Sequence, residues 1–269
     1  MDVQDIRLPK FNAFDSSNLE PEQSANSLFH FVEKYSYLEG ILKNKSLPLW
    51  YVEEDMRYLQ LPQIPKVIIP MKCFCDINLH KMQPHMEYYG YYGVAFSKEW
   101  GVNKSIQPIH YINNQSDLAK QYKTSLLASL NADNNADKNL KNYLASHMMY
   151  IKPISGYQKK KGESKATEKY FLDEAEWRYV FDMSKLNIPG CKQLFVGETN
   201  DKCDRFNEAL LSLNKGLNYE YSDLKYIIVN SEKDYYKVIK LIDDLDLDRF
   251  EKYKLSSKIL VWENSRRDF

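Results

Sequence analysis

Two acids one residue apart, Glu174-Ala175-Glu176, and a histidine inside an apolar run, Ser27-Leu28-Phe29-His30-Phe31-Val32, are the residues best suited to chemistry. On extended backbone, positions i and i+2 point the same way, so both carboxylates project into one space. Crowding like charges raises the pKa of one of them. Such a pair can bind a hydroxyl, orient an acceptor or stabilise a cationic centre. The same pair can also sit on an exposed strand edge and pair with Lys169 or Arg178. His30 shares its strand face with Leu28 and Val32. It is either a core histidine with satisfied nitrogens or the floor of a cleft, where an imidazole can hold a ribose or phosphate oxygen.

Several other chemistries are excluded by motif. The chain has 9 glycines, but no GxxxxGK[ST] to wrap phosphates in backbone N–H groups and no GxGxxG between a strand and a helix. HExxH and GxSxG are absent, which excludes the usual zinc-protease and α/β-hydrolase arrangements. Cys73, Cys75, Cys191 and Cys203 form no CxxC pair, so a zinc ribbon is not expected. Cys73 and Cys75 share a face if they lie on a strand, and read as reduced packing residues.

The elements that must carry these residues follow from periodicity. Ser27–Val32 reads as a strand, with Phe29 and Phe31 opposite Leu28, His30 and Val32. Lys34–Asn44 reads as a helix, with Tyr37, Leu38, Ile41 and Leu42 on one stripe. Glu53, Glu54 and Asp55 fall in a loop. Val67–Pro70 and Lys72–Cys75 are extended, and Asp76 is a candidate cap. His80–Tyr88 forms helical turns. Tyr91–Ser97 is a strand whose Gly93 marks a bulge or a close backbone approach. Pro108–Ile112 is a strand, and Asp117–Leu130 and Leu140–Tyr150 are helices. Residues 156–168 form a charged loop. Its lysines, Lys159 to Lys161, are solvated or else touch nucleic acid. Phe171–Phe181 leads into a strand, and Gln193–Val196 is another. Asp201–Asn214 is a helix, Leu224–Asn230 a buried strand, Glu232–Leu245 an amphipathic helix and Lys258–Trp262 a last strand.

Strands and helices alternate without a strict βαβ rhythm. The expected fold is therefore α+β, a mixed, mainly antiparallel sheet with flanking helices. Residues 1–26 read as a polar arm and 27–269 as one domain. The 37 basic and 37 acidic side chains cancel, so the chain has no global field to gather nucleic acid or anionic lipid. No apolar run is long enough to span a bilayer and no secretory leader is recognisable, which points to the cytoplasm without a membrane partner. The 21 tyrosines suit half-buried sheet faces and ligand clefts.

Several strings together resemble a known family. Ser27-Leu28-Phe29-His30-Phe31 precedes Leu38-Glu39-Gly40-Ile41-Leu42. Cys73-Phe74-Cys75-Asp76-Ile77 precedes Tyr89-Gly90-Tyr91-Tyr92-Gly93-Val94 and Phe96-Ser97-Lys98-Glu99-Trp100. Glu176-Trp177-Arg178-Tyr179 and Leu224-Lys225-Tyr226-Ile227-Ile228-Val229 come later. In this order, across residues 27–242, they are similar to the AbiGi-type abortive-infection (phage-resistance) family. That resemblance implies a defence role beside a second component, an antitoxin-like chain acting with a toxin or other defence-system protein.

More distantly, the same blocks resemble the ADP-ribosyltransferase fold. This implies NAD as a substrate and no metal. His30 and either Tyr91 or Tyr92 match the NAD-binding positions. Glu176 matches the catalytic acid and Glu174 the acceptor-side acid. No Ser-Thr-Ser motif is present. The reading requires the imidazole, a tyrosine ring and the carboxylate to converge on one cleft.

Overall fold

The computed structural model describes residues 23–61, 63–131, 138–158, 160, 164–183, 195–196, 200–212 and 216–266. Most of the expected arm, and Cys191, lie outside them. The last residues before the first strand are pinned: Ala25 is buried, Lys98 reaches Ser24, and Lys225 donates to the Asn26 carbonyl.

β1 (Leu28–Val32) begins the sheet, and α1 (Tyr35–Asn44) follows. α1 buries Leu38, Ile41 and Leu42 at helical spacing. Tyr37, expected on that stripe, is 52% exposed; it sits at the stripe's margin, where its hydroxyl meets water. β2 (Ser46–Pro48) leads to β3 (Trp50–Asp55). The acids Glu53, Glu54 and Asp55, expected in a loop, instead finish β3. The whole strand pairs with β4 (Lys66–Cys75), and Lys66, Arg178 and Arg57 neutralise the three acids in turn. β4 merges the two extended segments expected around Met71.

After a 3-10 turn comes α2 (Gln83–Tyr89). Asp76, expected as a cap, pairs with Lys98 at 2.7 Å instead. β5 (Tyr92–Phe96) and α3 (Lys98–Asn103) precede β6 (Gln107–Pro108) and β7 (His110–Ile112). The single strand expected at Pro108–Ile112 is thus two. The Ile109 amide bonds to the Glu176 carbonyl and the His110 amide to that of Tyr150, so successive amides serve different sheets.

α4 (Asp117–Asn131) and α5 (Lys138–Met148) form a helical pair, tied by the Tyr122 hydroxyl on the Leu144 carbonyl. β8 (Ile151–Pro153) pairs with β7 in parallel. β9 (Ser155–Gln158) and β10 (Thr167–Tyr170) form a hairpin where a charged loop was expected. Lys159 and Lys161 lie outside the described residues.

β11 (Glu176–Val180) carries the acidic pair's second member, and β12 (Phe195–Val196) follows. Then come α6 (Asn200–Ser212), β13 (Gly216–Asn218), β14 (Leu224–Val229), α7 (Glu232–Asp243), α8 (Arg249–Ser256), β15 (Ile259–Val261) and α9 (Trp262–Ser265).

The main sheet runs β15-β14-β5-β1-β4-β11-β6, with β3 and β12 also on β4. It is antiparallel except for β14 beside β15, so the α+β, mainly antiparallel expectation holds. Gly93 marks a close approach rather than a bulge. Its pairing with β1 is regular, and a Cβ there meets the Phe31 ring at 2.8 Å and the His30 carbonyl at 2.9 Å.

One edge of β4 is shared. β11 and β12 take one edge, so β3 and β1 must both use the other. β3 covers Lys66 to Met71 and β1 pairs only at Cys75. The edge between them, Lys72 to Phe74, has no strand partner among the described residues. The sheet is open there.

Candidate functional site

A half-open cavity of about 310 Å³ occupies this opening. β1 contributes Phe29 to Val32, β3 contributes Trp50, Val52 and Glu54, and β4 contributes Met71 to Cys75. His85, Tyr89, Lys152, Gln158, Glu174 and Glu176 complete the wall. His30, Glu174 and Glu176, singled out from the sequence, therefore line one cavity, with His30 and Glu176 on opposite faces of the sheet. Tyr91 and Tyr92 are not among the lining residues. Tyr91 packs against the core around Phe29 and Met86, and Tyr92 donates to Asp234 at 3.0 Å on the other side of the sheet. Tyr89 is the tyrosine that reaches the cavity.

The acidic pair is not extended as expected. Phe171–Glu174 is a 3-10 turn, and Ala175 takes φ +40°, reversing the chain before β11 begins. The two carboxylates nevertheless converge, because one ammonium joins them. Lys152 donates to Glu174 Oε2 and to Glu176 Oε2, each at 2.9 Å. Arg178 Nε donates to Glu176 Oε1 at 2.6 Å, and its Nη2 reaches Glu176 Oε2 at 3.3 Å and Glu54 Oε1 at 3.1 Å. Its Nη1 donates to the Met149 carbonyl at 3.0 Å. Glu174 Oε1 accepts from Lys169 and from the Tyr89 hydroxyl.

Three carboxylates, Glu54, Glu174 and Glu176, thus face three cations, Lys152, Lys169 and Arg178. The pairing with Lys169 and Arg178 that the sequence allowed is real, but it is buried rather than on an exposed edge. Arg178 is 0% exposed and Glu176 6%. Burial pushes the Glu176 carboxyl upward, yet Arg178 and Lys152 outweigh it and hold it well below the usual range. Glu174 behaves alike, with Lys152 and Lys169 overcoming burial. Burial disfavours the Lys152 ammonium, but Glu176, Glu54 and Glu174 hold it charged. Burial lowers the pKa of the Lys169 ammonium, partly offset by Glu174, and the cluster sets three carboxylates against three basic groups.

His30 and His85 are held neutral. Burial and the Lys72 ammonium lower His30 to about 3, and burial lowers His85 to about 4. His30 Nδ1 lies 2.9 Å from the Cys73 carbonyl. A carbonyl only accepts, so the proton sits on Nδ1 and Nε2 is left as an acceptor. The ring therefore cannot donate to a ligand, which narrows the role read from sequence. Cys73 and Cys75 are free thiols whose pKa burial raises, consistent with packing residues.

Lys152, Glu54, Arg178, Tyr89, His85 and Lys72 were not picked out as site residues. Only the Arg178 side of the Glu176-Trp177-Arg178 string gave a signal, as an ion-pair candidate. Among the described residues no His/Cys/Asp/Glu group could hold a metal, and no helix is long and apolar enough to cross a membrane.

Residues 42–230 match the family described as "Putative abortive phage resistance protein AbiGi, antitoxin". The chain is also similar to the Abortive phage resistance protein AbiGi of Lactococcus lactis subsp. cremoris. Identity is 33% over 249 residues, covering 83% of this chain and 99% of the relative. No solved structure matches the chain. Both matches are phage-resistance proteins of the abortive-infection class. This chain belongs to the AbiGi family.

Proposed function

We propose that the chain is a non-catalytic, antitoxin-like partner that binds and controls a toxin protein of a cytoplasmic abortive-infection system. The observation that carries this reading is the state of Glu176. Both its oxygens are taken by cations, Arg178 on one and Lys152 with Arg178 on the other. A carboxylate stabilises a cationic transition state only if its charge is free to face that centre. The charge of Glu176 is engaged in tying β11 to β8 through Lys152 and in balancing Arg178, which in turn reaches Glu54 on β3. Freeing it leaves buried Arg178 without its main counter-charge, a change of several kcal/mol in the wrong direction, about 3–5. The family description, which names an antitoxin, supports the same reading.

A second reading is an NAD-dependent ADP-ribosyltransferase or NAD glycohydrolase. It is favoured by the presence of His30, Glu174 and Glu176 in the lining of one cavity. There Glu176 acts beside the ribose, Glu174 toward the acceptor, and Tyr89 supplies the aromatic wall expected from Tyr91 or Tyr92.

Incubation of the purified chain with NAD separates the two. The partner reading expects no nicotinamide release and, on expression without a toxin, growth and cellular NAD equal to an empty-vector control. Co-expression with the toxin restores growth, and the two proteins co-purify. Nicotinamide release, or growth arrest with NAD loss from this chain alone, defeats the partner reading in favour of the second.

A further inference from the structure

The cavity contains a charge that the acid–base cluster leaves out. Two lysines line it. Lys152 is held by two carboxylates. Among the described residues, no carboxylate stands within ion-pair distance of the Lys72 ammonium, and no hydrogen bond holds it. Strand alternation explains the separation. Phe29 pairs with Cys75 and Arg178 with Cys73, so Cys73, Cys75, Glu176 and Arg178 share one sheet face. Lys72 and Phe74 point to the other, where His30 lies against the Phe74 ring at 5.9 Å. The cavity reaches both faces because β4's edge is open at Lys72 to Phe74.

Lys72 is half-buried, and an ammonium partly withdrawn from water without a counter-charge is disfavoured. Burial lowers Lys72 to about 8, so it still carries its proton at neutral pH. Beside it, His30 Nε2 is an acceptor with no partner among the described residues. The two groups ask for complementary things: Lys72 for an anion, His30 for an O–H or N–H donor.

We propose that the cavity binds a small hydroxylated anion, with Lys72 holding its phosphate or carboxylate and His30 Nε2 accepting from one of its hydroxyls. The ligand enters where β1 and β3 part, and it supplies a negative charge that no described residue brings to Lys72. This goes beyond the partner reading. Growth and co-purification judge that reading; titration of the purified chain judges this one.

The test is calorimetric titration of the full chain with ribose 5-phosphate, gluconate, inorganic phosphate and ribose. Saturable binding of either hydroxylated anion supports the site, and the one that binds names the head group. Lys72→Met weakens that binding about tenfold or more, as expected for loss of a charged hydrogen bond. Lys72→Arg retains it, and His30→Gln weakens it with the ammonium intact. Without ligand, Lys72→Met melts at the same temperature as the parent or higher, because it removes an unpaired charge. A lower melting temperature marks Lys72 as structural and overturns the proposal. So does binding of neither anion, equal binding by ribose or inorganic phosphate, or undiminished binding by Lys72→Met.

Discussion

Glu176 sits where a carboxylate is most sensitive to losing its charge: buried, with a guanidinium on one oxygen and an ammonium on the other. Glu176→Gln leaves Arg178 and Lys152 over-supplied with positive charge in a water-poor site. Removing one side of such a buried pair costs about 3–5 kcal/mol. Urea unfolding should show a lower midpoint of that order with an unchanged slope; an unshifted midpoint contradicts the buried cluster. His30 and His85 carry the largest depressions and dominate the pH dependence, and His147, also lowered by burial, adds with the same sign. The folded pKa values of His30 and His85 are depressed to about 3 and about 4, against roughly 6.5 in the unfolded chain. Below about pH 6.5 the unfolded chain takes up protons that the folded chain refuses, so stability falls as pH drops. By about pH 5 each of these two histidines accounts for roughly 2 kcal/mol. Unfolding at a series of pH values should show this decline, and replacing both by Gln should flatten most of it. The depressed carboxylates Glu174 and Glu176 contribute above the unfolded value of about 4.3, and that contribution is lost only below it. At this scale the sequence displayed the acidic pair and His30, because their types and spacing are local. Lys152 and Lys72 looked like any other lysine, since their character comes from neighbours remote along the chain.

The turn at Ala175 is the element on which the cluster depends. It ends the 3-10 turn in a left-handed conformation, φ +40°, and starts β11 with Glu176 already facing inward. A side chain there is strained by about 1–2 kcal/mol. Ala175→Gly should therefore leave melting temperature unchanged or raise it slightly, the relief of strain offsetting the added backbone freedom. Ala175→Val should lower it clearly, because a branched Cβ tolerates this region worst. Equal melting of both variants contradicts the assigned turn. The same residue shows where pattern reading stops. Alternation around Glu174 and Glu176 suggested continuous extension, and nothing in an alanine announces a reversal. Apolar strands such as Leu224–Val229 and the stripes of α1 and α7 were legible because burial imposes their period. β3 was not, since its acidic end looks like a loop until the partners Lys66, Arg57 and Arg178 are in place.

At the scale of the molecule, the layout of strands was harder to read than their existence. Alternation tells which way a side chain faces, but not which strand lies alongside. Nothing local says that β1 and β3 share an edge of β4, or that β6 and β7 leave a single expected strand for different sheets. A formal net charge of +0 gives the protein no long-range pull on polyanions, so recognition of a protein partner or a small ligand must come from local features.

The hollow between β1 and β3 is a product of connectivity, not of small side chains. Enlarging or trimming its walls changes what can lodge there while the gap itself persists. Substitutions along those walls therefore alter the hollow's size and polarity without redrawing the sheet.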